Sequence, residues 1–300
     1  MVRAMVARRD SDRPGPSGSQ APGRPGDITA GDMRWLAWHE AGSHGLIGRE
    51  LRDLGDAILL HDPTDREPFW NRLAGIAWPA EPAAFDRRLA EALALFAGLD
   101  RMPHVWPAPG FDDPPDLVQR LLANGFEDHG RGMLMALDPT ALSLHVDPPR
   151  GQGRVTVERL HGLGGDAAVV AAQAVADVLV ESFSVEPERR VAMELEALQG
   201  FEHDAYHAIL ASVDGRPAAV ARRTTFAGSS YLSSIGTHPS FRGRGLGRLV
   251  TSLAAADSLA AGSRWTYLGV LEENTVARAM YEGLGFTVVG GPAPDLLLRP

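Results

Sequence analysis

The stretch FRGRGLGRLV at 241–250 sets glycines at 243, 245 and 247 among arginines at 242, 244 and 248, directly ahead of a helix-forming run. Those residue types at that spacing suit a pyrophosphate. Such an anion needs several backbone N–H donors converging at short range, and side chains on the loop would hold it away. Gly243, Gly245 and Gly247 clear the approach. Leu246, Leu249, Val250 and Leu253 then open a helix whose apolar stripe docks on a sheet and whose positive dipole end points back at the phosphates. Arg242, Arg244 and Arg248 can add charge-assisted hydrogen bonds. A dinucleotide fingerprint fits less well, since it needs glycine where Arg248 stands and a βαβ start that is missing. An arginine-rich RNA surface would continue, yet the following TSLAAADSLAAG carries no positive charge. The plain alternative is a Gly-rich connector that only turns the chain.

A second group lies downstream in ENTVARAMYEGLGF, residues 273–286. Asn274 and Tyr281 are seven positions apart, which places them within about 20° of each other on a helix face and about 10 Å apart along it. They can line one groove, while Val276 and Met280 read as core. Taken alone, Tyr281 reads as a half-buried core tyrosine.

Elements that would position these groups can be traced through the second half of the chain. A strand VTVERL at 155–160 precedes helices near 166–180 and 188–198. A meander follows, AYHAILASV, AAVARRTTF and SYLSSIGTH, with turns between the strands. After the glycine loop come a helix, the strand WTYLGVL, a helix from Asn274 and a closing strand from Phe286. In the first half, PAAFDRRLAEALALFAGL spaces Phe85, Leu89, Leu93 and Phe96 by three and four, as a one-faced helix requires. LLANGF at 121–126 echoes YEGLGF at 281–286, each a helix end, a Gly suited to the left-handed conformation and a Phe opening a strand.

Length and composition bound the rest. Three hundred residues divide comfortably into two domains. The boundaries predicted are a disordered Pro/Gly/Ser/Arg-rich tail at 1–26, a domain at 27–150 and a second at 151–300, with DPPRGQG at 147–153 as linker. There is no cysteine, which removes disulfides, thiol nucleophiles and thiolate metal sites, and all 29 basic residues are arginine, which removes a lysine Schiff base and a Walker-type loop. No metal is expected. The net charge of −9 argues against nucleic acid as a partner and makes the arginine cluster a local anion site. No 18-residue apolar run or signal-like start is present, so no membrane partner is expected and the cytoplasm is the default location.

SSIGTHPSFRGRGLGRLV resembles the acetyl-coenzyme A loop of the GCN5-related N-acetyltransferases, the GNAT superfamily, whose signature of Gln or Arg, two residues, Gly, one residue and Gly or Ala is filled by Arg242, Gly245 and Gly247. The second motif of that family is matched by Asn274, Ala277, Tyr281, Gly285 and Phe286. The resemblance covers 151–300, and the echo extends it more weakly to 27–150. It implies an α/β fold, an α+β mixed sheet in two acetyltransferase-like domains. Each would be a mostly antiparallel central sheet flanked by helices, with a splayed strand pair holding the coenzyme.

By that resemblance acetyl-coenzyme A is the co-substrate. Ile235, Gly236, Thr237, Arg242, Gly243, Arg244, Gly245, Leu246, Gly247, Arg248 and Asn274 hold it, and Tyr281 protonates the departing sulfur. The reaction implied is direct acetyl transfer to a primary amine of a small molecule or peptide, by a monomer or homodimer. A coenzyme-binding sensor without turnover is the alternative. Where many relatives carry a glutamate on the strand before the loop, this chain reads YLSSIGTH. Ser233 and Ser234 are poor bases, and a water relay to Glu186, His238 or Glu272 remains open. The first half has no Gly-x-Gly at its equivalent place and Leu121 where the second has Tyr281, so it reads as a degenerate copy that shapes the acceptor pocket. Trp35, Trp38, Trp70, Trp78 and Trp106 read there as core or interface, and His104 as structural.

Overall fold

A computed structural model of the chain describes residues 22–142, 151 and 153–299. The tail reading lies outside these residues as far as 21, but its last part is ordered. Gly23 N donates to Arg264 O at 2.8 Å, and a Cβ on Gly23 would meet the Trp265 ring at 2.4 Å. The expected disorder to residue 26 is therefore corrected, because this glycine lies flat against a buried tryptophan. The linker expected at 147–153 falls almost wholly outside the described residues.

The first half runs α1 (Ala30–Gly45), β1 (Glu50–Asp53), β2 (Ile58–His61), β3 (Arg72–Ala74), α2 (Pro82–Leu99), β4 (His104–Trp106), α3 (Leu117–Ala123) and β5 (Glu127–Leu137). The second runs β6 (Val155–Leu160), α4 (Gly165–Phe183), α5 (Arg190–Phe201), β7 (Tyr206–Val213), β8 (Arg216–Phe226), β9 (Ser229–Thr237), α6 (Leu246–Ala260), β10 (Trp265–Leu271), α7 (Thr275–Glu282) and β11 (Phe286–Leu297). Each half has an antiparallel meander, a helix that crosses to a parallel strand (β3 beside β4, β9 beside β10), a short helix and a long closing strand. Gly125 and Gly285 both sit at positive φ, +88° and +101°, where the short helices end.

All eleven strands form one sheet in the order β1-β2-β3-β4-β11-β5-β10-β9-β8-β7-β6. The closing strands are exchanged. β5, from the first half, pairs antiparallel with β10 and β11, and β11, from the second, pairs with β4 and β5. The expected boundary at 150/151 therefore separates the sequence without separating the sheet. Among the described residues no helix is long and apolar enough to cross a membrane.

The sheet is covered on both faces around the site. Leu246, Val250 and Ala254 of α6 pack with Leu232, Leu268, Tyr281 and Phe286 on one face, while Val175 and Leu179 of α4 and Phe201 of α5 pack with Leu210 and Val220 on the other. In the first half Phe85, Leu89 and Phe96 of α2 join Leu73, Trp78 and Leu121. Fully burying side chains of this kind stabilises by about 1.5–3 kcal/mol each. The core reading of Val276 is corrected: it is 82 % exposed, whereas Met280 does pack on the core.

Candidate functional site

β9 and β10 pair in parallel only from Ser229/Trp265 to Leu232/Leu268. Beyond that point β9 continues with β8 to Thr237 and β10 continues with β5 to Leu271, so the two strands part in the middle of the sheet. The parting has a local cause. Ser234 sits at φ +48°, and the register with β8 slips between Val220/Gly236 and Arg222/Ser233, which marks a bulge. His238 N donates to Ala218 O at 2.9 Å, so Gly236 faces its β8 partner through hydrogen bonds. The N–H and C=O groups of Thr237, and by alternation those of Ile235, turn the other way, into the gap. Gly236 is small for a different reason: a Cβ there would meet Ser182 Oγ of α4 at 2.8 Å. Across the gap, Gly269 and Leu271 of β10 are exposed, because β9 has left their side.

The glycine loop closes one end of this gap. Gly243 (φ +75°) and Gly245 (φ +80°) take a left-handed backbone, and a Cβ on either would meet nothing within 4 Å. Gly245 is the N-cap of α6 and supplies no side-chain cap. The helix ladder begins with Leu249 N to Gly245 O at 3.0 Å, so the amides of Leu246, Gly247 and Arg248 precede it. Positive partial charge is thereby concentrated at an uncapped end. Gly247 is required by packing, since its Cβ would lie 2.9 Å from Thr237 Oγ1.

The arginines have other work in this structure. Arg242 donates to Thr237 O (3.3 Å) and Ser182 O (3.0 Å), tying the loop to β9 and to the end of α4. Arg248 donates to Gly283 O at 2.7 Å, at the end of α7. Arg244 lies over the Phe241 ring, 5.2 Å from its centroid.

Asn274 is the N-cap of α7, accepting from Ala277 N at 3.2 Å, and thereby sets where that helix begins. Tyr281 is buried, edge-on to Phe286 at 6.1 Å, and burial pushes its phenol up to about 12. Of the three carboxylate or imidazole candidates, His238 caps the turn at Pro239–Phe241 through Ser240 N, Glu186 is exposed, and Glu272 is half-buried near the end of β10.

The equivalent helix end in the first half is already filled. Glu81 accepts from Ala83 N (3.0 Å) and Ala84 N (2.7 Å) at the start of α2, and these bonds hold its carboxyl below the usual range. An anion at that place would meet a carboxylate. His104 there bridges Pro68 O and Asp295, Trp78 is core, and Trp70 lies under the Arg49 guanidinium, 3.5 Å from it.

Sequence reasoning missed two features. The bulge at Ser234 had no signal, because serine is an ordinary strand residue. Tyr231 was legible: alternation along β9 puts it on the same face as Ser233, and that face looks toward the first half. Its ring stands 5.2 Å from Tyr267 and 6.2 Å from His44 of α1.

Residues 172–286 match the sequence model of the Acetyltransferase (GNAT) family. No protein with a curated description matches the chain. Among solved structures, a GCN5-related N-acetyltransferase from Kribbella flavida is 24% identical with a TM-score of 0.63, over 89% of this chain and 96% of that one. A tandem GNAT protein from the clavulanic acid biosynthesis pathway is 16% identical with a TM-score of 0.59, over 93% and 98%. A GCN5-related N-acetyltransferase from Sphaerobacter thermophilus is 16% identical with a TM-score of 0.56, over 93% and 95%. At these identities the likeness is one of fold, and it extends through both halves.

Proposed function

We propose, for a chain that belongs to the GNAT acetyltransferase superfamily, that it transfers an acetyl group from acetyl-coenzyme A directly to a primary amine of a small molecule or peptide. The observation that carries this reading is the uncapped start of α6, with its two left-handed glycines, at the mouth of the gap between β9 and β10. The loop amides would take the pyrophosphate, the inward-turned backbone of Ile235 and Thr237 the pantetheine, and only the second half would bind coenzyme. The amine attacks the thioester carbonyl, the C–N bond forms, the C–S bond breaks, and Tyr281 gives its proton to the leaving thiolate. A phenol held near 12 by burial keeps that proton throughout the neutral range.

An ammonium of pKa ~10 is about one part in a thousand free base at pH 7, a cost of about 4 kcal/mol, so the acceptor needs a base. The absence of a carboxylate in YLSSIGTH favours the second reading, a coenzyme sensor without turnover. Thiol release from acetyl-coenzyme A with a panel of amines separates the two. Saturable coenzyme binding with no amine turned over would leave the sensor standing. We place the protein in the cytoplasm as a monomer or homodimer, without a nucleic-acid partner.

A further inference from the structure

Paired residues on neighbouring strands project to one face of a sheet, so Tyr206, Thr224, Tyr231 and Tyr267 form a row across β7, β8, β9 and β10. Arg222 and Ser233 form the next row toward the bulge. Helices from both halves cover these rows. From α1, His39 bonds the Tyr267 hydroxyl at 2.7 Å and His44 stands edge-on to Tyr231. From α5, Glu196 accepts from Arg222 at 2.6 Å, and Arg49, which follows α1, reaches Glu196 at 3.4 Å and Asp62 at 3.3 Å. The result is a buried polar cluster between the halves, a closed chamber of side chains beside the point where β9 leaves β10.

Its satisfaction is incomplete in a patterned way. Among the described residues, two buried side-chain atoms here lack a hydrogen-bond partner, His44 Nδ1 and Arg222 Nη2, whereas Arg49 Nε faces Asp62 Oδ2 at 3.3 Å and the Thr224 hydroxyl pairs with Tyr206. Orphaned buried polar atoms are rare, and two facing one chamber point to a polar ligand. Arg222 Nη2 is a donor, and the Thr224 hydroxyl can donate as well. His44 differs. Its Nε2 lies 3.0 Å from Glu40 Oε1, and Glu40 is also held by Arg72 Nη2 at 2.7 and 2.5 Å. Burial would raise the Glu40 carboxyl, but Arg72 and His44 outweigh it and hold it down at about 2. In the neutral imidazole, the ionised Glu40 makes Nε2 the protonated nitrogen and leaves Nδ1 as an acceptor. The fixed charges cancel, with Arg49, Arg72 and Arg222 against Glu40, Asp62 and Glu196. A guest of zero net charge leaves none of them uncompensated.

We propose that this chamber is the acceptor site and takes a zwitterionic amine, a small molecule bearing a carboxylate beside the primary amine. His44 Nδ1 accepts the proton of the ammonium, and Arg222 with Thr224 donates to the carboxylate. This rests on the acetyltransferase reading. In balance, His44 takes one proton from the ammonium and passes it to solvent. The free amine forms the C–N bond as the C–S bond breaks, the thiolate takes a proton from Tyr281, and the second proton lost by nitrogen restores the phenol. The titratable and charged groups around His44 are Glu40 on its own helix, Arg72 on β3, Arg49 and Asp62 on the segments around β1 and β2, Glu196 on α5, Tyr206 on β7, Arg222 on β8 and Tyr231 on β9.

The test uses the full chain with acetyl-coenzyme A and glycine, β-alanine, 4-aminobutyrate and lysine, each beside its carboxamide and its decarboxylated amine. At least one acid should be used about 100-fold better than its neutral counterparts. Arg222→Met should raise its KM roughly 10-fold or more with coenzyme Kd unchanged, and Thr224→Val, which keeps the shape, should raise KM in the same direction if Arg222→Met fails to fold. His44→Gln should lower kcat by about 10²- to 10⁴-fold with coenzyme Kd unchanged, a split that loss of packing alone would not produce. Equal use of carboxamides, or an unchanged KM in both chamber variants, overturns the proposal. So does turnover of none of these acids by protein that binds coenzyme. If coenzyme itself does not bind, the functional reading fails, and the chamber is judged by NMR titration of the same acids against the protein alone, where no shift at His44 overturns it.

Discussion

Gly245 offers the sharpest separation of backbone from ligand effects. It holds φ +80° at the N-cap of α6, and a Cβ there meets no protein atom within 4 Å. A substitution at this position therefore acts in two ways only, through the backbone and through whatever occupies the open space. Gly245→Ala should cost about 1–2 kcal/mol of folding stability, the penalty for an L-residue in the left-handed region, seen as a Tm lower by a few degrees. Gly245→Asn should recover much of that loss, because asparagine tolerates the conformation. If the space holds a pyrophosphate, both variants keep its oxygens from the loop amides. Loss of even one charge-assisted bond of about 1.5–3 kcal/mol then weakens coenzyme binding roughly 10- to 150-fold. The expected signature is Asn restoring Tm but not affinity, read by thermal unfolding beside calorimetric titration with acetyl-coenzyme A. A Gly245→Asn protein with wild-type Kd would falsify the placement of the phosphates, and a Gly245→Ala protein with unchanged Tm would show that the left-handed turn is not held.

Tyr281→Phe keeps the ring against Phe286, so coenzyme Kd should stay within a few fold while kcat falls by about 10²- to 10⁴-fold; normal turnover in the variant would make the residue structural. Because β5 and β11 are exchanged, residues 27–150 and 151–300 expressed separately should each lack cooperative thermal unfolding by circular dichroism and regain it on co-expression, and an independently folded fragment would contradict the shared sheet. His39 is lowered to about 4, chiefly by burial, below its usual 6.5. The unfolded chain therefore binds more protons between those values, and stability should fall as pH drops from about 6.5 to about 4. His39→Gln should flatten the urea-midpoint profile there by about one proton, and an identical slope in the variant would place the titration elsewhere.

The glycine loop, α6, β10 and α7 were legible in the sequence because their causes are local. Left-handed turns need glycine, helices need a cap such as Asn274, and strand and helix announce themselves by their periods. The echo of LLANGF and YEGLGF was local too, a helix stop written twice. What only the tertiary structure decided depends on partners distant along the chain. Exchange of β5 and β11 follows from which open sheet edge each closing strand meets, and either register satisfies the same alternating pattern. The parting of β9 from β10 turns on one serine at positive φ, a conformation that serine does not advertise. Arg242 and Arg248 were read from charge as phosphate ligands, yet unpaired backbone carbonyls of Thr237, Ser182 and Gly283 lie closer and take their donors. The chamber was invisible for the same reason. His44 and Arg222 stand far apart in sequence, and only the docking of α1 and α5 over one face of the sheet sets an imidazole from one half beside an arginine from the other.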